Sequence, residues 1–147
     1  MRQPTTYYNF KQCTTRIQVH QGGTRSGKSF SILTALCELC YHNRGSHMLI
    51  TVVRKSFPSL RGSILRDFIE ILHRENWYDE RNHNKTEQTY NLFGNTFEFI
   101  SVDDAQKIRG RKRHIAFLNE ANELSLEDFR QLSLRTIGVE GGSSIIL

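Results

Sequence analysis

Hydrophobic residues are spaced along the chain in two rhythms. Ile32, Leu33, Leu36, Leu39 and Cys40 recur at helical spacing and predict a helix from Lys28 to Asn43, with Gly45 as its stop. Ile64, Leu65, Phe68, Ile69 and Leu72 predict a second helix, opened at Pro58 or Ser59 and running to about Glu75. A third follows Ser125, its N-cap, with Leu126, Phe129 and Leu132 facing inward. Between the helices lie continuous apolar runs, Met48 to Val53 and Ile115 to Leu118, the pattern of parallel strands buried on both faces. Arg16 to His20 is short and β-prone, and Ser143 to Leu147 reads as one more strand. Tyr90, Leu92, Phe97 and Phe99 alternate with polar neighbours about Gly94-Asn95, which predicts a β-hairpin with a two-residue turn. Strands alternating with helices give an α/β fold with a mainly parallel sheet.

Composition narrows the class. At 147 residues the chain has the length of one domain, and 37% hydrophobic with 24% charged residues is globular. No apolar run approaches the ~20 residues of a membrane span, and the start, MRQPTTYYNF, lacks the apolar stretch of a secretory signal. Cys13, Cys37 and Cys40 are an odd count that fits free thiols in a reducing compartment. Cys37 and Cys40 are expected to pack within the first helix; a zinc site with His42 and Cys13 is the alternative. Trp77 and Tyr78 are expected to cap the core.

The loop before the first helix carries the chemistry. Gly22-Gly23-Thr24-Arg25-Ser26-Gly27-Lys28-Ser29 matches GxxxxGK[ST] between a β-prone run and a helix. In such a loop successive backbone N–H groups face phosphate oxygens and the helix N-terminus adds partial positive charge. Lys28 is placed to reach the β- and γ-phosphates, Ser29 to ligate Mg²⁺, and Arg25 to lie along the γ-phosphate. The strand Ile115-Ala116-Phe117-Leu118 ends on Asn119-Glu120, where Glu120 holds the position of a water-polarising base. Asn119 brings no negative charge to the metal, so Mg²⁺ retention is expected to be weaker, or shared with Asp103 or Asp104.

A net charge of +5 suits a polyanionic partner. Lys107, Arg109, Arg111, Lys112 and Arg113 put five positive charges into seven positions, with Arg54, Lys55, Arg61 and Arg66 as a looser second set. Both can neutralise DNA phosphates without reading sequence. A solvated basic loop, or an arginine finger inserted into a neighbouring subunit, is the alternative.

With QGGTRSGKS, the hairpin, DDAQKIRGRK and FLNEANELSLEDFRQLSLR in place, the chain resembles the large subunit of tailed-bacteriophage terminases, the motor that packages DNA into procapsids. The resemblance implies a P-loop NTPase of the additional-strand, catalytic-glutamate type, with Ser143 to Leu147 as the strand inserted between the acidic strand and the loop strand. It implies ATP and Mg²⁺ as cofactors, Lys28, Ser29 and Arg25 on phosphate and metal, Glu120 as base, and Asn119 where the family usually has Asp. Gln21, Tyr7, Tyr8 or Phe10 are candidates for adenine contact. Double-stranded viral DNA, a portal protein, a small terminase subunit and a homo-oligomeric ring in the host cytoplasm are the implied partners and setting. Residues 1–147 then form a partial ATPase domain, incomplete at its C-terminus and without the family's nuclease domain. A helicase-like ATPase, or a form that binds nucleotide without turnover, is the competing reading.

Overall fold

The computed structural model describes residues 5–12, 16–23, 26–104, 112–134 and 144–146. A seven-stranded sheet organises them: β1 (Ile17–Gln18), β2 (Leu49–Arg54), β3 (His83–Asn84), β4 (Thr89–Leu92), β5 (Asn95–Ser101), β6 (Ile115–Leu118) and β7 (Ser144–Ile146). The spatial order is β1-β7-β6-β2-β5-β4-β3. The first five in that order run parallel, and β4 and β3 add antiparallel edges. Strand β7 lies between β1 and β6, pairing Ile145 with both Ile17 and Ala116, which is the inserted-strand arrangement the resemblance implied.

The central strands are apolar because both faces are covered. Ile50, Val52, Phe97, Phe99 and Phe117 face α2 (Lys28–His42) and α4 (Leu65–Arg74) in the main core. Val53, Ile100, Ala116 and Leu118 face the other way, onto Leu132 and Phe129 of α5 (Leu126–Leu134). The short α1 (Thr5–Gln12) packs on α2, where the Tyr7 hydroxyl bonds Glu38. Helix α4 is entered through α3 (Phe57–Ser59), capped by Ser56, and a wider π turn over Leu60–Ile64. The longest described helix has 15 residues, and none is long and apolar enough to cross a membrane.

Cys37 and Cys40 are fully buried on α2, and burial pushes the Cys40 thiol up to about 12 and Cys37 well above its usual range. Both are core side chains; Cys13 lies outside the described residues. Trp77 stacks on Tyr41 and Tyr78 on Tyr90 at the core's margin, as expected.

Three expectations need correction. The hairpin forms, but Leu92 pairs with Asn95, so the turn is Phe93-Gly94. Both turn residues have positive φ, 52° and 77°, the type I′ geometry that matches strand twist. Asn95 belongs to β5, where its buried amide accepts from the Met48 N–H and donates to the Asn43 carbonyl at the end of α2. Ser125 does cap α5, exchanging bonds with Asp128, yet Leu126 is 64% exposed, and it is Phe129 and Leu132 that pack against the second core cluster. Arg113 leaves the exposed basic set altogether. Its guanidinium is fully buried, 3.1 Å from Glu98 Oε1 on β5, and its Nε donates to Thr51 Oγ1 on β2 at 2.8 Å.

Candidate functional site

The loop from β1 to α2 closes around its own lysine. Lys28 Nζ donates to the Gly22 carbonyl at 2.7 Å, arching over the loop. A Cβ on Gly22 would meet Lys28 Cδ at 3.2 Å and Ser26 Oγ at 3.3 Å, so both side chains pack close over this glycine. Gly27, with φ 71°, is left-handed at the N-cap of α2 and turns the chain into the helix. The first-turn N–H groups of α2 thus face the loop's interior, where an anion is favoured.

The acidic strand end meets the loop directly. The Asn119 N–H continues the ladder to the Val53 carbonyl, which fixes the residue at the top of β6 beside β2. Its Nδ2 then donates to Ser29 Oγ at 2.6 Å. Glu120 follows in a left-handed conformation, φ 55° and ψ 55°. A non-glycine residue there costs about 1–3 kcal/mol, and such strain collects at functional sites. The kink puts Glu120 on the wall of both lobes of the cleft over the loop.

One lobe, about 500 Å³, is bounded by Val19, His20, Gln21, Phe117 and Ala121. The other, about 460 Å³, runs from the glycine loop to Arg54, Asp67 and Glu123. Gly22, Lys28, Ser29 and Glu120 border both. Burial holds His20 below the usual imidazole range. Asp67 is raised by burial, against the pull of Arg66 and with Glu70 adding to the rise.

The structure therefore unites Gly22, Gly23, Ser26, Gly27, Lys28, Ser29, Asn119 and Glu120, and adds Gln21 to the wall. Thr24 and Arg25 lie outside the described residues, as do Lys107, Arg109 and Arg111. Tyr7 is taken by Glu38, and the Phe10 side chain is undescribed. Asp103 and Asp104 border neither lobe; among the described residues the carboxylates that do are Asp67, Glu120 and Glu123.

Arg54, grouped by sequence with the DNA-facing residues, is instead a wall of this cleft. It has 15% side-chain exposure, its Nη1 donates to Ser63 Oγ at 2.7 Å and its Nε lies 3.5 Å from Glu123 Oε2. No spacing rule links residues 54, 67 and 123. They meet because β2 and β6 are neighbours and α4 packs on α2, the helix that opens from the loop.

The donor set fits Mg²⁺ with phosphate. Ser29 Oγ uses one lone pair on Asn119 Nδ2 and keeps another for a cation, while the Asn119 carbonyl oxygen and Glu120 are hard oxygen donors at the same mouth.

A family model described as phage terminase large subunit matches residues 14–147. No curated protein matches the chain in sequence. The large terminase of a thermophilic bacteriophage is similar in structure, with a TM-score of 0.82 at 13% identity over 99% of this chain and 39% of that one. Other structures of that thermophilic phage's terminase are complexes with ADP and with ATP-γ-S. The HK97 large terminase superposes with a TM-score of 0.74 at 9% identity, covering 99% of this chain and 33% of its own. The Phi-28 gp11 DNA packaging motor does so at 0.55 and 14% identity, over 95% and 48%. The chain thus spans about two fifths of the thermophilic phage terminase's length. With a family match over residues 14–147 and a glycine loop tied to an acidic strand end, the chain belongs to the phage terminase large subunit family.

Proposed function

We propose that this chain is an ATP-binding and ATP-hydrolysing motor domain of a terminase large subunit that drives double-stranded DNA into procapsids. The observation that carries this is the 2.6 Å bond from Asn119 Nδ2 to Ser29 Oγ, which locks the phosphate loop to the strand end that presents Glu120. The complexes of the thermophilic phage terminase with ADP and ATP-γ-S support the choice of nucleotide.

In this reading the backbone N–H groups of residues 22–29 hold the β- and γ-phosphates, Lys28 swings from the Gly22 carbonyl onto them, and Arg25 lies along the γ-phosphate. Ser29 and Asn119 would hold Mg²⁺, which when bound would supply neutralisation of phosphate charge. The Glu120 carboxylate takes a proton from a water as that water's oxygen bonds the γ-phosphorus. The bond from the bridging oxygen to that phosphorus breaks, and ADP and phosphate leave. Arg109 and Arg111 serve either DNA or a neighbouring subunit's site, in a homo-oligomeric ring that works with portal protein and small terminase subunit in the host cytoplasm.

The test separates binding from turnover. Fluorescent-nucleotide binding and phosphate release are measured with and without double-stranded DNA, on this chain and on a longer one that continues beyond residue 147. Binding by both, with DNA-stimulated turnover in the longer chain, is expected. Absence of nucleotide binding in both overturns the reading. The uncharged Asn119 favours one second reading, a nucleotide-holding domain without turnover; binding without hydrolysis in either chain selects it.

A further inference from the structure

Away from the nucleotide cleft, the basic residues form a second arrangement. Arg61 on the π turn, Arg66 on α4, His83 on β3 and Lys85 on the β3–β4 turn line a cleft of about 390 Å³, together with Leu65 and Ile69. Among the described residues, none that lines it is a carboxylate. The two acids paired with its cations, Asp67 and Glu80, do not line it. Arg66 Nε is 4.0 Å from Asp67 with 72% of its side chain exposed, and Lys85 Nζ is 3.3 Å from a Glu80 that is 78% exposed. Exposed pairs of this kind are weak and screened, so both cations remain free to meet another anion.

The far wall is braced. Gln88 has φ 54°, and its Nε2 donates to the Lys85 carbonyl at 2.5 Å. Asn84 Oδ1 accepts from the N–H groups of Thr86 and Glu87, which fixes the same turn. His83 Nδ1 is bonded to the Tyr78 hydroxyl, and burial and Lys85 hold the ring below its usual pKa, so near neutral pH it is an uncharged polar wall. Three permanent cations therefore face one shallow cleft from two fixed elements.

We infer that the cleft of Arg61, Arg66 and Lys85 is a binding site for the phosphate backbone of double-stranded DNA, separate from the nucleotide cleft. An open site with three cations and no carboxylate in its described walls suits a phosphodiester chain, whose charge recurs and whose bases need not be read. That the polyanion is duplex DNA rests on the packaging reading. The site is also mechanically close to the nucleotide. Asp67, next to Arg66, lines the nucleotide cleft, and Ser63, two residues from Arg61, bonds Arg54 of that cleft. One helical segment thus borders both clefts.

The experiment is fluorescence anisotropy with a labelled duplex of arbitrary sequence, titrated between about 50 and 200 mM salt. The variants are Arg61→Glu with Arg66→Glu and the milder Arg61→Gln with Arg66→Gln. A charge-matched control, Arg44→Glu with Arg81→Glu, alters exposed cations outside the cleft. Each lost phosphate contact lowers the log–log salt slope by about 0.9, so the Gln pair should lose about two units and bind at least about tenfold more weakly. Nucleotide affinity and melting temperature should stay at the wild-type values, which shows the variants folded. A wild-type slope in the Gln pair overturns the site, as does an equal loss in the control pair or a wild-type chain that does not bind duplex. Cleft-dependent duplex binding without ATP turnover in the longer chain would keep this site and remove the motor reading. DNA-stimulated turnover with an unaffected Gln pair would do the reverse.

Discussion

The Asn119 amide does something a carboxylate cannot, donating to Ser29 Oγ. Asn119→Asp would reverse that bond, leaving Ser29 as donor, and would add a charge beside the proposed Mg²⁺ site. The expected result is a lower half-saturating Mg²⁺ concentration for ATP binding, read from titrations of the two proteins; an unchanged Mg²⁺ dependence removes Asn119 from the metal's surroundings. Glu120 makes a different kind of contribution. Its left-handed backbone costs energy that packing must offset, and the result is a carboxylate on both lobes over the loop. Glu120→Gln keeps the shape and removes the proposed base, so nucleotide affinity should hold while turnover in the longer chain falls about 10²–10⁴-fold. Equal turnover in the variant would place the base elsewhere. Both residues were legible in the sequence, because they follow an apolar strand after a glycine loop. Arg54, Asp67 and Glu123 were not, since only the adjacency of β2 and β6 and the packing of α4 bring them to one wall.

At the scale of elements, the strands and helices read correctly wherever burial imposes a period. β2 is buried from Ile50 to Val53 and β6 along its whole length because both faces are covered, and α2 sets Ile32, Leu33, Leu36, Cys37 and Cys40 into the main core. The hairpin shows where that logic stops. Alternation located its strands, but the one-residue position of the turn depends on Asn95, whose amide closes the end of α2, a tertiary contact that local pattern does not carry. The turn also leans on a distant glycine. A Cβ on Gly94 would sit 2.8 Å from the backbone of Gly45, and Gly94 has φ 77°. Gly94→Ala therefore meets both a conformational penalty and a clash with backbone that cannot rotate away. A loss of about 2–3 kcal/mol is expected, seen as a lower urea midpoint with an unchanged slope. A loss below about 0.5 kcal/mol would mean that the β4–β5 turn and the Gly45 loop do not touch in solution.

Across the whole molecule, the placement of charge differs most from its appearance in the sequence. A run of five cations in seven positions reads as a solvated basic face, yet its last member closes a buried network across three strands. Glu98 on β5 stands opposite Thr51 on β2, and Arg113 reaches both from the entry to β6. Only the fold reveals that Glu98, 15 residues upstream, is its partner. The two roles predict opposite behaviour. A DNA-contacting arginine would lower the salt slope when removed and leave stability nearly untouched. A buried partner of Glu98 would do the reverse, because Arg113→Met strands a carboxylate in the sheet at a cost of about 3–5 kcal/mol. Replacing both, with Arg113→Met and Glu98→Met, removes the stranded charge, and most of that stability should return. The double variant should then bind duplex with the wild-type salt slope, since no phosphate contact has been lost. If its slope instead falls by about one unit while stability stays low, Arg113 is on the DNA and the sheet is held together by something else.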